Sequence, residues 1–288
     1  SAAPEVTGTA SGAIAINKPV VVNTDGTLSQ ISSSALSEAV DGSTYEFEDS
    51  NSGIPNVCYD VGNGKYVIVF TSSGEGHAIV ASVSGTTISY GTAAAFETGF
   101  APNQYSVCYE ADSGKVVIAY SHQDTKVYAK VGTVSGTSIT FGSRLTVKTT
   151  ESKAVLVAAD GTGKVLFLYY VNDNSTECVM ASISGTTLSK GTAVSLTSEI
   201  GGESSTAMST GMGYGLCYHE DVGKFIAVSK DGASRFDAVA ITKPASGNDC
   251  TVSSGYELAN NCGDGWVDVC YDTKNKQCIG VFSNGGDS

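Results

Sequence analysis

Val57-Cys58-Tyr59-Asp60, Gly64-Lys65-Tyr66-Val67-Ile68-Val69-Phe70, His77-Ala78-Ile79-Val80-Ala81 and Ser84-Gly85-Thr86-Thr87-Ile88-Ser89-Tyr90-Gly91-Thr92 form a stretch that the chain writes more than once. It returns as Val107-Cys108-Tyr109-Glu110, Gly114-Lys115-Val116-Val117-Ile118-Ala119-Tyr120 and Ser135-Gly136-Thr137-Ser138-Ile139-Thr140-Phe141-Gly142. A third copy reads Val157-Ala158-Ala159-Asp160, Gly163-Lys164-Val165-Leu166-Phe167 and Ser184-Gly185-Thr186-Thr187-Leu188-Ser189-Lys190-Gly191. The fourth drifts, with Leu216-Cys217-Tyr218-His219, Gly223-Lys224-Phe225-Ile226-Ala227 and a worn Ser246-Gly247-Asn248. A fifth opens with Val269-Cys270-Tyr271-Asp272 and Lys276 to Phe282, and there the chain ends. Gly-Lys recurs about every 50 residues, the last step lengthened by a Gly/Ser/Thr/Met loop over 199–213.

Each copy carries the turns of a four-stranded meander. A polar, Gly-containing link joins strands one and two, a variable tip such as Ser72 to Gly76 joins two and three, and Ser-Gly-Thr makes the tight turn to strand four. The second strand is a continuous apolar run, which implies burial on both faces, as between neighbouring blades. A β-helix coil would be shorter, and a β-sandwich would not repeat. The expectation is an all-β fold: a single-domain, five-bladed β-propeller over 1–288, with blades at about 55–98, 104–149, 153–198 and 214–259. The fifth blade would join 266–288 to residues 13–36. Lys18-Pro19-Val20-Val21-Val22-Asn23-Thr24-Asp25-Gly26-Thr27-Leu28-Ser29-Gln30-Ile31 reads as strand three, turn and strand four, the half that the C-terminus lacks. Closing a ring this way removes two exposed strand edges.

Composition agrees: 34 Gly, 5 Pro and 16% charged residues suit strands and turns rather than helices. A formal charge of −13 argues against nucleic acid and against docking on anionic lipid. No apolar run is long enough for a transmembrane helix, so no membrane insertion is expected. The chain begins Ser1-Ala2-Ala3-Pro4 without Met, as a processed form or a part of something longer would. Of eight cysteines, Cys58, Cys108, Cys217 and Cys270 hold one repeat position and read as small buried hydrophobes, reduced in the folded chain. Two pairings stay open, Cys270 with Cys278 across a hairpin and Cys250 with Cys262.

Chemistry is sparse. Asp60, Glu110, Asp160 and Asp272 recur where strand one ends, with His219 in the fourth copy. A ring of acids can assemble a glycosidase site, but a repeated Asp before a Gly-containing link is first a turn former, and catalytic acids rarely follow repeat symmetry. No full oxygen-ligand loop for calcium is present. His77, His122 and His219 fall in different copies, so neither a metal nor another cofactor is expected. Tyr59, Tyr109, Tyr218 and Tyr271 repeat with the cysteines and are expected to pack between blades. Phe100, Tyr105 and Trp266, read as exposed aromatics in irregular tips, are the candidates for contacting sugars.

The module Val-Cys-Tyr-Asp…Gly-Lys-Val-Val-Ile-Ala-Tyr…Val-Ser-Gly-Thr-Ser-Ile-Thr-Phe-Gly, with the lead-in from Gly12-Ala13-Ile14 through Lys18 to Thr27, resembles the repeat-propeller proteins of marine tailed bacteriophages. The resemblance spans 12–31 and 57–283 and implies a virion structural protein on a tail fibre, tail tip or capsid surface. It brings no catalytic residues. The expected function is therefore non-enzymatic, with partners among other virion proteins, copies of itself in the particle and host-surface carbohydrate. The alternatives are a secreted carbohydrate-active enzyme on the same scaffold and a cell-surface adhesion module.

Overall fold

The computed structural model describes residues 20–22, 28–30, 46–47, 55–122, 124–150, 152–171, 175–196, 200, 213–230, 235–260 and 262–284. Of 20–22, 28–30, 153, 262–266 and 283–284 it describes the backbone alone. The chain divides into two compact units, residues 1–44 with 85–87 and residues 45–84 with 88–288. In the first, β1 (Val20–Val22) and β2 (Leu28–Gln30) pair antiparallel, Val21 opposite Ser29, as a two-stranded sheet.

The second unit carries the repeat. Sheet 1 is β3 (Asn56–Asp60), β4 (Lys65–Ser72), β5 (Glu75–Ser84), β6 (Thr87–Tyr90) and β7 (Ala94–Glu97). Sheet 2 is β8 (Gln104–Glu110), β9 (Lys115–Ser121), β10 (Val127–Ser135), β11 (Ser138–Phe141) and β12 (Leu145–Lys148). Sheet 3 is β13 (Ser152–Ala159), β14 (Lys164–Val171), β15 (Ser175–Ser184), β16 (Thr187–Lys190) and β17 (Val194–Ser195). Sheet 4 is β18 (Tyr214–His219), β19 (Lys224–Lys230), β20 (Phe236–Thr242), β21 (Thr251–Val252) and β22 (Tyr256–Ala259). A last hairpin, β23 (Cys262–Asp272) with β24 (Gln277–Asn284), forms a two-stranded sheet.

Every full sheet is an antiparallel meander whose outer strand is broken in two, both pieces pairing with the third strand. In sheets 1 to 3 the break falls at the repeated glycine, and in sheet 4 at Ser253. A Cβ on Gly91 would strike the Thr137 carbonyl of sheet 2, one on Gly142 the Thr186 carbonyl of sheet 3, and one on Gly191 the Asn248 carbonyl of sheet 4. The glycine is thus where one sheet's outer strand touches the tight turn of the next. The turn into strand two needs positive φ, met by Gly64, Gly114, Gly163 and Gly223, and by Lys276 (φ 58°) in the last copy.

The continuous apolar second strands are buried on both faces. Val116, Ile118 and Tyr120 of β9 pack into a core shared with sheet 1, whereas Val117 and Ala119 pack into a core shared with sheet 3. In β14, Val165, Phe167 and Tyr169 face sheet 2, and Leu166, Leu168 and Tyr170 face sheet 4. The apolar interior is a succession of layers between sheets. The first strands β3, β8, β13, β18 and β23 lie side by side, and Val157 N–H donates to Ser106 Oγ at 3.1 Å between two of them. Among the described residues there is no helix.

The cysteines depart from expectation. Cys270 lies opposite Ile279, and Cys278 opposite Tyr271. One residue out of register, the two side chains point to opposite faces of the hairpin. Cys250 meets Cys178 of sheet 3, and the side chain of Cys262 is outside the described residues. The seven described cysteines are free thiols; Cys58, Cys108 and Cys217 are half-buried and Cys270 is exposed.

Candidate functional site

The repeated acids are turn caps. Asp60 accepts from Asn63 N–H at 3.0 Å and Asn63 Nδ2 at 2.8 Å. Glu110 accepts from Asp112 and Ser113 N–H, and from Gly163 N–H of the next sheet at 2.8 Å. Asp160 accepts from Thr162 and Lys164 N–H and takes Lys243 Nζ of sheet 4 at 2.8 Å. Asp272 caps Lys274 and Asn275. Burial pushes the Asp160 carboxyl up, but Lys243 and Thr162 outweigh it and hold the group below the usual carboxylate range. Two of the repeated tyrosines reach the preceding copy's turn: Tyr109 bonds Asp60 and Gly62, and Tyr271 donates to Asp221; Tyr218 instead lies 5.6 Å from Lys243 of its own sheet, the partner of Asp160. Tyr59, in the first sheet, is 49% exposed.

A different group of side chains gathers at the opposite end of the same strands. Glu97 ends β7 of sheet 1 and is buried; the Tyr120 hydroxyl of sheet 2 donates to it. Arg144, between β11 and β12, donates from Nη1 to the same carboxylate oxygen at 3.1 Å, and its guanidinium lies 4.2 Å from the Tyr128 ring centroid. Beyond Tyr128, its hydroxyl donates to Asp124 at 2.9 Å, and Lys126 Nζ reaches the same oxygen at 2.7 Å. His122 lies 2.8 Å from the other Asp124 oxygen and between the Phe100 and Tyr128 rings. Burial raises Glu97, yet the Tyr120 and Arg144 hydrogen bonds and charge outweigh it and leave the carboxyl below its ordinary value. The result is an ionised cation–carboxylate pair across the seam, walled by aromatic faces, with the Arg144 side chain 41% exposed. Such a pair offers paired donors and acceptors to vicinal hydroxyls, and the rings offer flat apolar faces to a sugar's C–H surface.

The next seam repeats this with the charges exchanged. By register, Lys148 of sheet 2 stands where Glu97 stands in sheet 1, and Tyr169 where Tyr120 stands. Lys148 Nζ meets Glu177 of sheet 3 at 2.7 Å, and Tyr169 donates to Glu177 at 3.0 Å. At the third seam the hydroxyls of Thr176 and Tyr214 meet at 2.5 Å.

Of the aromatics singled out from sequence, Phe100 belongs to this group and is half-buried against His122. Tyr105 does not sit in a tip. It lies in β8, which runs further outward than Val-Cys-Tyr suggested, near Phe96, and burial raises its phenol. Trp266 falls in β23 with its side chain outside the described residues. The three histidines meet different rings: His77 stacks on Phe70, His122 tilts against Phe100 and His219 lies beside Tyr271. Sequence reasoning missed Glu97 and Arg144. The available signal was a departure from the repeat: one of only two arginines follows Gly142-Ser143, where two other copies read Gly-Thr-Ala.

No protein-family profile matches the sequence, and no curated protein matches it. Solved structures do. The chain is similar to SapL1 lectin, solved in complex with alpha methyl fucoside, at 11% identity and TM-score 0.50, covering 80% of this chain and 72% of that one. It is similar to the K499G mutant of NanB sialidase from Streptococcus pneumoniae at 10% identity and TM-score 0.51, covering 78% of this chain and 36% of that one. A fungal lectin from Aleuria aurantia, described as a six-bladed β-propeller, matches at 10% identity and TM-score 0.45, covering 75% of this chain and 66% of that one. Identities this low speak for the fold alone, and the two matches at TM-score 0.50 and 0.51 agree with an all-β succession of antiparallel, blade-shaped sheets.

Proposed function

We propose that the chain is a non-enzymatic, glycan-binding propeller module of a phage virion appendage or decoration protein, which holds host-surface carbohydrate at the seams between blades. The observation that carries the reading is the Glu97–Arg144 pair set against Tyr128. Binding rather than turnover is supported by the state of the acids. Asp60, Glu110, Asp160 and Asp272 are held as hydrogen-bond acceptors by their own turns, and Asp160 and Asp272 are shifted down rather than up, whereas a general acid needs a raised pKa. The virion setting rests on the resemblance of the repeat to phage propeller proteins. The same reading takes the ring to five blades, with residues 18–31 completing the blade that β23 and β24 begin. In support, Val57, Tyr59, Ile279, Val281 and Phe282 are exposed at the two ends of the series.

The test is a glycan array followed by titration calorimetry. A bound glycan is expected, with its affinity reduced at least tenfold in Arg144→Ala, about 1.4 kcal/mol, and polysaccharide panels are expected to show no turnover. No bound glycan, an unchanged affinity in Arg144→Ala, or turnover abolished by Asp160→Asn or Glu110→Gln would each overturn the reading.

A further inference from the structure

Two cysteine pairs bridge consecutive seams. Cys178 of β15 is fully buried, and its Sγ lies 3.9 Å from Sγ of Cys250, in the loop before β21. Cys217 of β18 lies 3.6 Å from Cys278 of β24. The partners are 72 and 61 residues apart, and each pair joins neighbouring copies of the repeat.

Small-residue packing does not account for them. By register with the glycine-terminated strands, Cys178 occupies the position held by Ala78, Ala129 and Ala238 in the other three sheets. Alanine fills that site elsewhere; the sulfur is an addition, and it points at another sulfur. Cys278 likewise stands where the other copies place Tyr66, Val116, Val165 and Phe225, opposite a first-strand residue. Both pairs lie where the repeat wears thin. Sheet 4 has lost the full Ser-Gly-Thr turn, its β21 is two residues long, and the last copy is a two-stranded sheet. The first two seams have Ser-Gly-Thr turns, fuller outer strands and charged seam clusters, and carry no such sulfur contact among the described residues.

We propose that Cys178–Cys250 and Cys217–Cys278 are disulfide sites, closed in an oxidising medium to tie sheet 3 to sheet 4 and sheet 4 to the last hairpin. A disulfide needs its sulfurs at roughly 2 Å, so pairs in van der Waals contact require only side-chain rotation and a small approach of the sheets. With oxidised glutathione as oxidant, the thiolate of Cys250 attacks one glutathione sulfur, and the S–S bond breaks to release one glutathione thiolate. The thiolate of Cys178 then attacks the Cys250 sulfur and expels the second. Two cysteine thiols and one glutathione disulfide become one cystine and two glutathione molecules, which take up both thiol protons. Cys217 and Cys278 react the same way. Burial makes the folded Cys178 and Cys250 thiols hard to reach, so closure of that pair belongs to folding, while the seam is still open.

The test uses the whole chain, reduced and unfolded, then refolded in a reduced and oxidised glutathione buffer. After denaturing alkylation and digestion without reduction, mass spectrometry should find peptides linked Cys178–Cys250 and Cys217–Cys278, with Cys58 and Cys108 alkylated. Dithiothreitol should then lower the melting temperature by about 10 °C, and should not move that of Cys250→Ser/Cys278→Ser. Alkylation of all four cysteines, linkage of either pair to another thiol such as Cys270, or an unchanged melting temperature would overturn the proposal.

Discussion

Glu97 is buried at the end of β7, and the two groups that hold it ionised, Tyr120 and Arg144, both come from the neighbouring sheet. Its contribution to stability has a definite sign in pH. A carboxyl lowered by folding stabilises fully above its unfolded value, near 4.5, and loses that stabilisation as pH falls through the lowered folded value. Asp160 behaves alike from an ordinary value of 3.8, because Lys243 and Thr162 prefer its charged form. Melting temperature followed from pH 7 to 3 should therefore fall below about pH 4.5, and the fall should be shallower in Glu97→Gln. At neutral pH that variant should cost about 1–2 kcal/mol, mostly the charge assistance to the Tyr120 hydrogen bond, since the glutamine oxygen still accepts and the half-exposed Arg144 charge is screened. A variant with the parent's acid limb would show that the seam pair carries no folded-state charge coupling. What could be read at this scale beforehand was uneven. Asp60 and Asp160 are legible as turn formers, because the links they cap follow them directly in sequence. Glu97 and Arg144 are not, because 47 residues separate two side chains that meet only across a seam.

Strands and turns were the most legible elements. Alternation, Gly-Lys and Ser-Gly-Thr are local signals, and β9 and β14 end up covered on both faces, as continuous apolar runs require. The broken outer strand was not foreseen as a contact. A Cβ on Gly142 would strike the Thr186 carbonyl of the next sheet, backbone that cannot step aside as a side chain would. Gly142→Ala should therefore cost about 1–3 kcal/mol by overpacking the seam, seen as a lower urea midpoint with an unchanged slope. Gly136→Ala, in a turn with φ of 60° and open space around it, should instead show only the left-handed penalty of about 1–2 kcal/mol. A second change tells which part of Thr186 limits Gly142: Thr186→Gly, which leaves the carbonyl in place, should not rescue Gly142→Ala. If it restores Gly142→Ala, the collision is with the side chain and the backbone seam contact is not what limits the position.

For the whole molecule, the question is what covers its two end faces. The side chains that lie between sheets in the middle of the series stand open at its ends, Tyr59 at 49% and Val281 at 56% exposed. If residues 18–31 complete the last blade, deleting residues 1–36 should lower the melting temperature by about 10 °C or more, at ~1.5–3 kcal/mol for each large apolar side chain uncovered. It should also promote edge-to-edge association visible in size-exclusion chromatography. A deletion variant that stays monomeric and melts unchanged would assign the segment another role. The sequence by itself determined the all-β class, the repeat and its period, and the turns within each copy, because all of these rest on contacts among residues close along the chain. Only the tertiary structure decided which faces meet. It placed Glu97 against Arg144, Tyr109 on the turn of Asp60, and Cys178 against Cys250, rather than the neighbours a reader of the sequence would choose. The physical reason is that a seam joins residues of different sheets far apart along the chain, and its register is set by how neighbouring sheets interlock, which no local pattern encodes.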